Sequence, residues 1–242
     1  MSFTESNLLD IVALVWFLVC WIGYGVYSSR KSKSVPSLSN TLDLYRADWM
    51  SRFLMRENRI ADASVVGNLE RNGAFFASSS LLIIAGILTA LGYTDKALEL
   101  FSDIPFAHLN SRMMWEIKLS VMMVVFVYAF FKFTWAMRQY NFCAVLIGSA
   151  PLASESKVSP RAREAFAQSA AQVANHAGDA FNLGLRSYYY ALAVLSWFVH
   201  PVLFMVISTA VVVILHHREF ESRALKALRA GKVFEDEGAG QS

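Results

Sequence analysis

Residues 40–91 read NTLDLYRADWMSRFLMRENRIADASVVGNLERNGAFFASSSLLIIAGILTAL, and this stretch decides the fold class. Through Asn72 it is dense in arginines, acids and asparagines; from Gly73 to Leu91 it carries no charge. About twenty apolar residues suffice to cross ~30 Å of hydrocarbon as a helix. Residues 73–91 are therefore a spanning helix with a structured polar face at one end. Composition points the same way, with 55% hydrophobic and 17% charged residues, where soluble domains hold about 45–50% and about 25%. The expected fold is all-α: a polytopic membrane helix bundle.

Outward from this stretch, three more spans emerge at about 8–27, 113–135 and 188–215. Acidic Glu5 and Asp10 precede or open the first, and Arg30, Lys31 and Lys33 follow it. A cleavable signal peptide has the opposite polarity, so 8–27 reads as an uncleaved anchor. Two amphipathic helices, about 40–66 and 159–186, are expected on the cytoplasmic side. Ser159-Pro160 opens the second, with serine as cap and proline at the first helical position. The stripe Phe166, Ala170, Val173, Ala177, Phe181 and Gly184 is mostly small, which predicts tight packing against another helix. Pro201, near the middle of 188–215, predicts a kink. Residues 1–216 form one membrane domain and 217–242 a polar tail, disordered at its extreme end.

Charge sets the expected orientation. Residues 28–72 hold eight Lys/Arg and 136–187 hold five, against two in 92–112. Cytoplasmic loops carry such an excess, so the N-terminus is expected outside a bacterial cytoplasmic (inner) membrane. Four spans then return the tail to the outside, although it carries five basic residues balanced by five acids. Net charge of +3 gives no reason to expect a nucleic-acid partner. Cys20 and Cys143 lack the spacing of a disulfide framework, zinc site or redox motif.

A shift of 114 residues aligns Trp16-Phe17 with Phe130-Phe131, Trp21 with Trp135 and Asn68-Leu69 with Asn182-Leu183. It also aligns Phe75-Phe76-Ala77 with Tyr189-Tyr190-Ala191. Each half then reads as span, cytoplasmic helix, Asn-Leu and aromatic-led span, a parallel two-half repeat.

The motifs Arg46-x-x-Trp49-Met50, Arg56-Glu57-Asn58-Arg59-Ile60-x-Asp62 and Asn68-Leu69-x-Arg71-Asn72 stand in the first half. Trp135-x-x-Arg138-Gln139-Tyr140-Asn141 and Asn182-x-Gly184-x-Arg186-x-Tyr188-Tyr189 stand in the second. As a set they resemble the bacterial and plant membrane proteins of domain of unknown function 599, over roughly residues 8–215. The resemblance implies a multi-span membrane protein and supplies no catalytic residue.

Arg71, Asn72, Arg138, Gln139, Asn141, Asn182 and Arg186 all fall at expected cytoplasmic ends of spans. Arginine forks match phosphate and carboxylate geometry, so these seven form the candidate anion or lipid-headgroup site. Ordinary positive-inside anchoring is the plainer account of the same residues. Arg52, Arg56, Glu57, Arg59 and Asp62 form a candidate charged cytoplasmic face. His200, alone in mid-membrane, has no facing histidine for a haem. His176 and Asp179 need Glu57 or Asp62 beside them to hold a cation. No nucleophile–base pair or metal box is evident, and no cofactor is expected.

The expectation is a non-enzymatic structural, assembly or lipid-binding component, homo-oligomeric, with membrane lipids and a membrane-protein partner. The alternative is an oligomeric transporter or channel, with Ser78–Ser80 lining a polar path. In a membrane helix such hydroxyls more often bond back to their own carbonyls.

Overall fold

A computed structural model describes residues 3–94, 112–155 and 157–236, and among them every regular element is helical. The chain runs through α1 (Phe3–Leu18), a π-helical turn (Val19–Gly23), α2 (Tyr24–Lys31), α3 (Leu38–Phe53) and α4 (Ile60–Gly92). It continues through α5 (Arg112–Ser149), α6 (Pro160–Trp197), α7 (Pro201–Phe220) and α8 (Arg223–Asp236). Among the described residues, four stretches are long and apolar enough to cross a membrane: Leu8–Lys31, Ile60–Gly92, Arg112–Ser149 and Pro201–Gly231. Most of the loop expected at 92–112 and the extreme C-terminal end lie outside the described residues.

The helices divide into two compact units. One comprises Met1–Tyr27, Ala74–Thr134 and Phe181–Ile214; the other comprises Ser28–Gly73, Trp135–Ala180 and Leu215–Ser242.

The first unit is an apolar bundle with aromatic layers. Phe133 stacks on Phe76 at 5.1 Å and 18°, with Phe181 at 5.5 Å and Tyr188 at 5.7 Å from its own ring. The backbone of α6 approaches this layer closely, because a Cβ at Gly184 would lie 2.6 Å from the Phe133 ring. A second layer joins Phe17, Tyr190, Phe204 and Trp197, the last two stacked at 4.8 Å. Large apolar side chains such as Ile22, Leu82, Phe131 and Val206 point outward. That inversion suits a lipid surround, where apolar exposure carries no penalty.

Residues 188–215 are not one kinked helix. Trp197 ends α6, Phe198–His200 form a turn, and Pro201 occupies the first position of α7. Proline is preorganised for that position, and His200 Nδ1 accepts from Val202 N at 3.1 Å as its cap. The sequence shows a proline inside an apolar run but not which side of it keeps the helix.

Around that turn lies a charged cluster. Lys118 Nζ stands 3.4 Å from Asp10 Oδ1 and donates to the Trp197 carbonyl at 3.0 Å. Trp197 Nε1 donates to Asp10 Oδ1 at 2.6 Å. Both charged side chains are 2% exposed or less. Buried charge is tolerated when paired and hydrogen-bonded, and here the ammonium also satisfies a carbonyl at a helix C-terminus.

The second unit is polar and capped. Ser37 accepts from Asn40 N to start α3, and Ser159 accepts from Ala162 N to start α6. The expected helix 40–66 breaks at Phe53, and a new one starts at Ile60, whose N–H is capped by Asn58 Oδ1 at 3.0 Å. Gly67 lies inside α4. Of the expected stripe on α6, Ala170, Ala177 and Gly184 are buried while Phe166, Val173 and Phe181 are half-buried, and the buried seam runs instead through Ala167, Ala170, Ala174, Ala177 and Ala180. The start of the expected tail is helical: Ser222 caps α8, and Tyr45 Oη donates to the Leu228 carbonyl at 2.8 Å.

Arg46 packs against Gly178, where any Cβ would collide with its guanidinium, and pairs with Asp43 at 2.8 Å. Burial pushes the Asp43 carboxyl above its ordinary value, Asp179 adds to the effect, and Arg46 opposes it. A folded pKa above the unfolded one means that protonation favours the fold. This contribution is complete below the unfolded value, about 3.9, and is lost as pH rises through the higher folded value. Relative to Asp43→Asn, the wild type is therefore expected to gain stability on acidification from neutral toward about pH 4. Unfolding midpoints of both proteins across that window check the sign.

Candidate anion-binding pocket in the apolar unit

The π-helical turn Val19–Gly23 widens α1 by a residue per turn and alters the carbonyl pattern there; such turns occur frequently at functional sites. One carbonyl in it, that of Cys20, accepts from Tyr190 Oη at 3.0 Å, which ties α6 to the turn. Trp21 projects from the turn between Tyr128 at 5.6 Å, edge-on, and Tyr190 at 6.2 Å. Beside these rings opens a cavity of about 400 Å³, lined by Trp21, Ile22, Tyr24, Tyr128, Leu183, Arg186 and their neighbours.

Its walls are apolar and aromatic, and Arg186 is the charged side chain among them. The Arg186 guanidinium sits over the Tyr24 ring, 5.6 Å from the centroid. A cation over an aromatic face is attracted by the ring quadrupole, and this contact fixes the guanidinium at the wall. Ile22 and Val26, 62% and 47% exposed, flank the opening, so the cavity faces the same surround as the outward apolar side chains. An apolar wall with one convergent cation suits an amphiphile whose headgroup is anionic.

The seven residues of the expected anion site do not fall in one unit. Asn182 and Arg186 lie in the apolar unit, whereas Arg71, Asn72, Arg138, Gln139 and Asn141 lie in the polar one. Arg71 bonds Asn68, and Arg138 lies 5.7 Å over the Phe142 ring. Gln139 is buried, its Nε2 donating to the carbonyls of Trp135 at 3.4 Å and His176 at 3.3 Å. Asn72 and Asn141 are exposed. Of the seven, Arg186 alone lines the cavity.

The charged face is partly consumed by packing. Asp62, 2% exposed, accepts from Trp49 Nε1 at 2.6 Å and from Arg56 Nη1 at 2.5 Å. Arg59 donates to the Ala150 and Pro151 carbonyls at 2.7 and 2.6 Å, closing the C-terminal end of α5. Arg52 and Glu57 remain exposed. Since α3 ends at Phe53, these five residues do not share one helical face; their regular spacing concealed the break.

Other expected features resolve similarly. Ser79 and Ser80 donate back to the carbonyls of Phe75 and Phe76 at 2.8 Å. His176, Asp179, Glu57 and Asp62 are not brought together, and among the described residues no group of three His, Cys, Asp or Glu is arranged to hold a metal. The pair Asp10–Lys118 is not legible in the sequence, where each residue sits near an expected span end. Its only signal was that two charges of opposite sign interrupt two apolar runs.

The model of the family described as "Protein of unknown function, DUF599" matches residues 12–224. No curated protein and no solved structure matches the chain.

Proposed function

The chain belongs to that family, and we propose that it is a non-enzymatic, lipid-binding membrane component whose Arg186 pocket holds the phosphate of an anionic lipid. The supporting observation is the Arg186 guanidinium over Tyr24 at the wall of an otherwise apolar, outward-opening cavity. A guanidinium offers five N–H donors in a planar fork, and phosphate oxygens accept from it bidentately. The aromatic walls then take acyl carbons.

We place it in a bacterial cytoplasmic membrane with its N-terminus outside, on the loop charges described above. Homo-oligomerisation belongs to the same reading. Gly86 and Ala90 on α4 form a small-residue pair, and among the described residues nothing beyond α4's own backbone stands within 4 Å of a Cβ at Gly86, a surface on which a second helix can approach.

The test is lipid retention by the full chain in native nanodiscs. Arg186→Ala is expected to lose at least about tenfold of its co-purifying anionic phospholipid, the loss of one charge-assisted bidentate contact. Arg71→Ala is expected to keep it. Equal retention by Arg186→Ala and wild type, with both correctly assembled, overturns the reading.

A further inference from the structure

We infer that the chain crosses the bilayer five times, with the second half of α6 joining the four apolar stretches, so that α8 lies on the same side as α3. The inference starts from contacts along α6. Arg186 meets Tyr24, Tyr190 meets Cys20 and Trp197 meets Asp10, so α6 runs antiparallel to the first span along its length. Against α5 it runs from Gly184 beside Phe133 to Trp197 beside Lys118. At 1.5 Å per residue, Phe181–Trp197 covers about 24 Å, most of the ~30 Å hydrocarbon thickness.

The outward face of this segment is apolar. Leu192 and Leu195 are 61% and 50% exposed, and Val199 in the turn is 47% exposed, while Ala193, Val194 and Trp197 are buried. A helix in water places these residues the other way round. The turn that emerges at the far surface keeps its polar groups bonded: His200 caps α7, Ser196 Oγ donates to the Ala193 carbonyl at 2.6 Å, and Lys118 satisfies Trp197.

After the turn, α7 returns. Its end meets the residues that follow the first span: Lys31 Nζ lies 2.9 Å from His216 Nε2, and Ser39 N donates to Glu219 at 3.1 Å. Arg218, Arg223, Lys226 and Arg229 thereby join Arg30, Lys31 and Lys33 on one side, as the positive-inside rule demands. The 114-residue echo agrees, because it makes Asn182–Ala191 the counterpart of Asn68–Ala77, where α4 begins its own crossing. Four spans pair as two halves and α7 is the unpaired fifth.

Cysteine labelling with a membrane-impermeant maleimide, on intact and lysed spheroplasts, tests the crossing count in the full chain. Ser34→Cys and Ala230→Cys are expected to behave alike, and Val199→Cys oppositely. Leu44→Cys and Ala227→Cys form a second pair should the first disturb assembly. Labelling of Ala230→Cys opposite to Ser34→Cys overturns the inference, as does Val199→Cys on the side of Ser34→Cys. Lipid content does not enter the readout, so failure here leaves the pocket reading separately testable.

Discussion

Lys118→Met is expected to destabilise the apolar unit by about 3–5 kcal/mol, the usual cost of removing one partner of a buried ion pair. The substitution takes the ammonium at 3.4 Å away from the Asp10 carboxylate, which is 1% exposed and keeps the Trp197 Nε1 donor. It also removes the donor from the Trp197 carbonyl at the end of α6. Two losses therefore coincide at one turn. Asp10→Asn combined with Lys118→Met is expected to recover part of the loss, because the buried carboxylate charge is removed together with its cation. Denaturant titration in one fixed detergent measures both proteins; a single-variant loss below about 1 kcal/mol, the range of exposed pairs, contradicts the account.

Gly184→Val is expected to cost about 1–3 kcal/mol by overpacking. Even a Cβ lies 2.6 Å from the Phe133 ring, and that ring is fully buried against Phe76, Phe181 and Tyr188. It has nowhere to swing. Trimming the obstacle with Phe133→Leu is expected to relieve the Gly184→Val defect, giving a coupling of opposite sign to the single effects. An unfolding midpoint unchanged by Gly184→Val itself refutes the close approach.

The apolar lengths at 8–27, 73–91 and 113–135 were legible because hydrophobic run length is a local property, and the structure extends each at one or both ends. The Ser159-Pro160 start was legible for the same reason, and the small-residue face of α6 in part, since the expected stripe meets the buried seam at Ala170 and Ala177. What escaped were features decided by partners far away in sequence. Asp10 and Lys118 lie 108 positions apart, and neither advertises the other. The break after Phe53 was hidden because Arg56, Arg59 and Asp62 keep helical spacing while bonding to separate places. Pro201 was ambiguous by itself, since the same residue kinks a helix or opens one. In the candidate site, Arg186 was legible as an arginine at a span end, whereas the cavity beside it depends on a π-helical turn that leaves no sequence signature.

The turn at Phe198–His200 also bears on how the protein is made. The segment before it, Phe181–Trp197, contains Arg186, Asn182 and three tyrosines, and α6 is absent from the stretches apolar enough to cross alone. Arginine disfavours insertion of a segment by the translocon, less at a span end than at the centre. Val202–Leu215, immediately after the turn, is strongly apolar. The two segments are thus expected to partition as one hairpin, the second drawing in the first. Lys118, synthesised earlier, is then already waiting at the far end to receive the exposed carbonyl of Trp197.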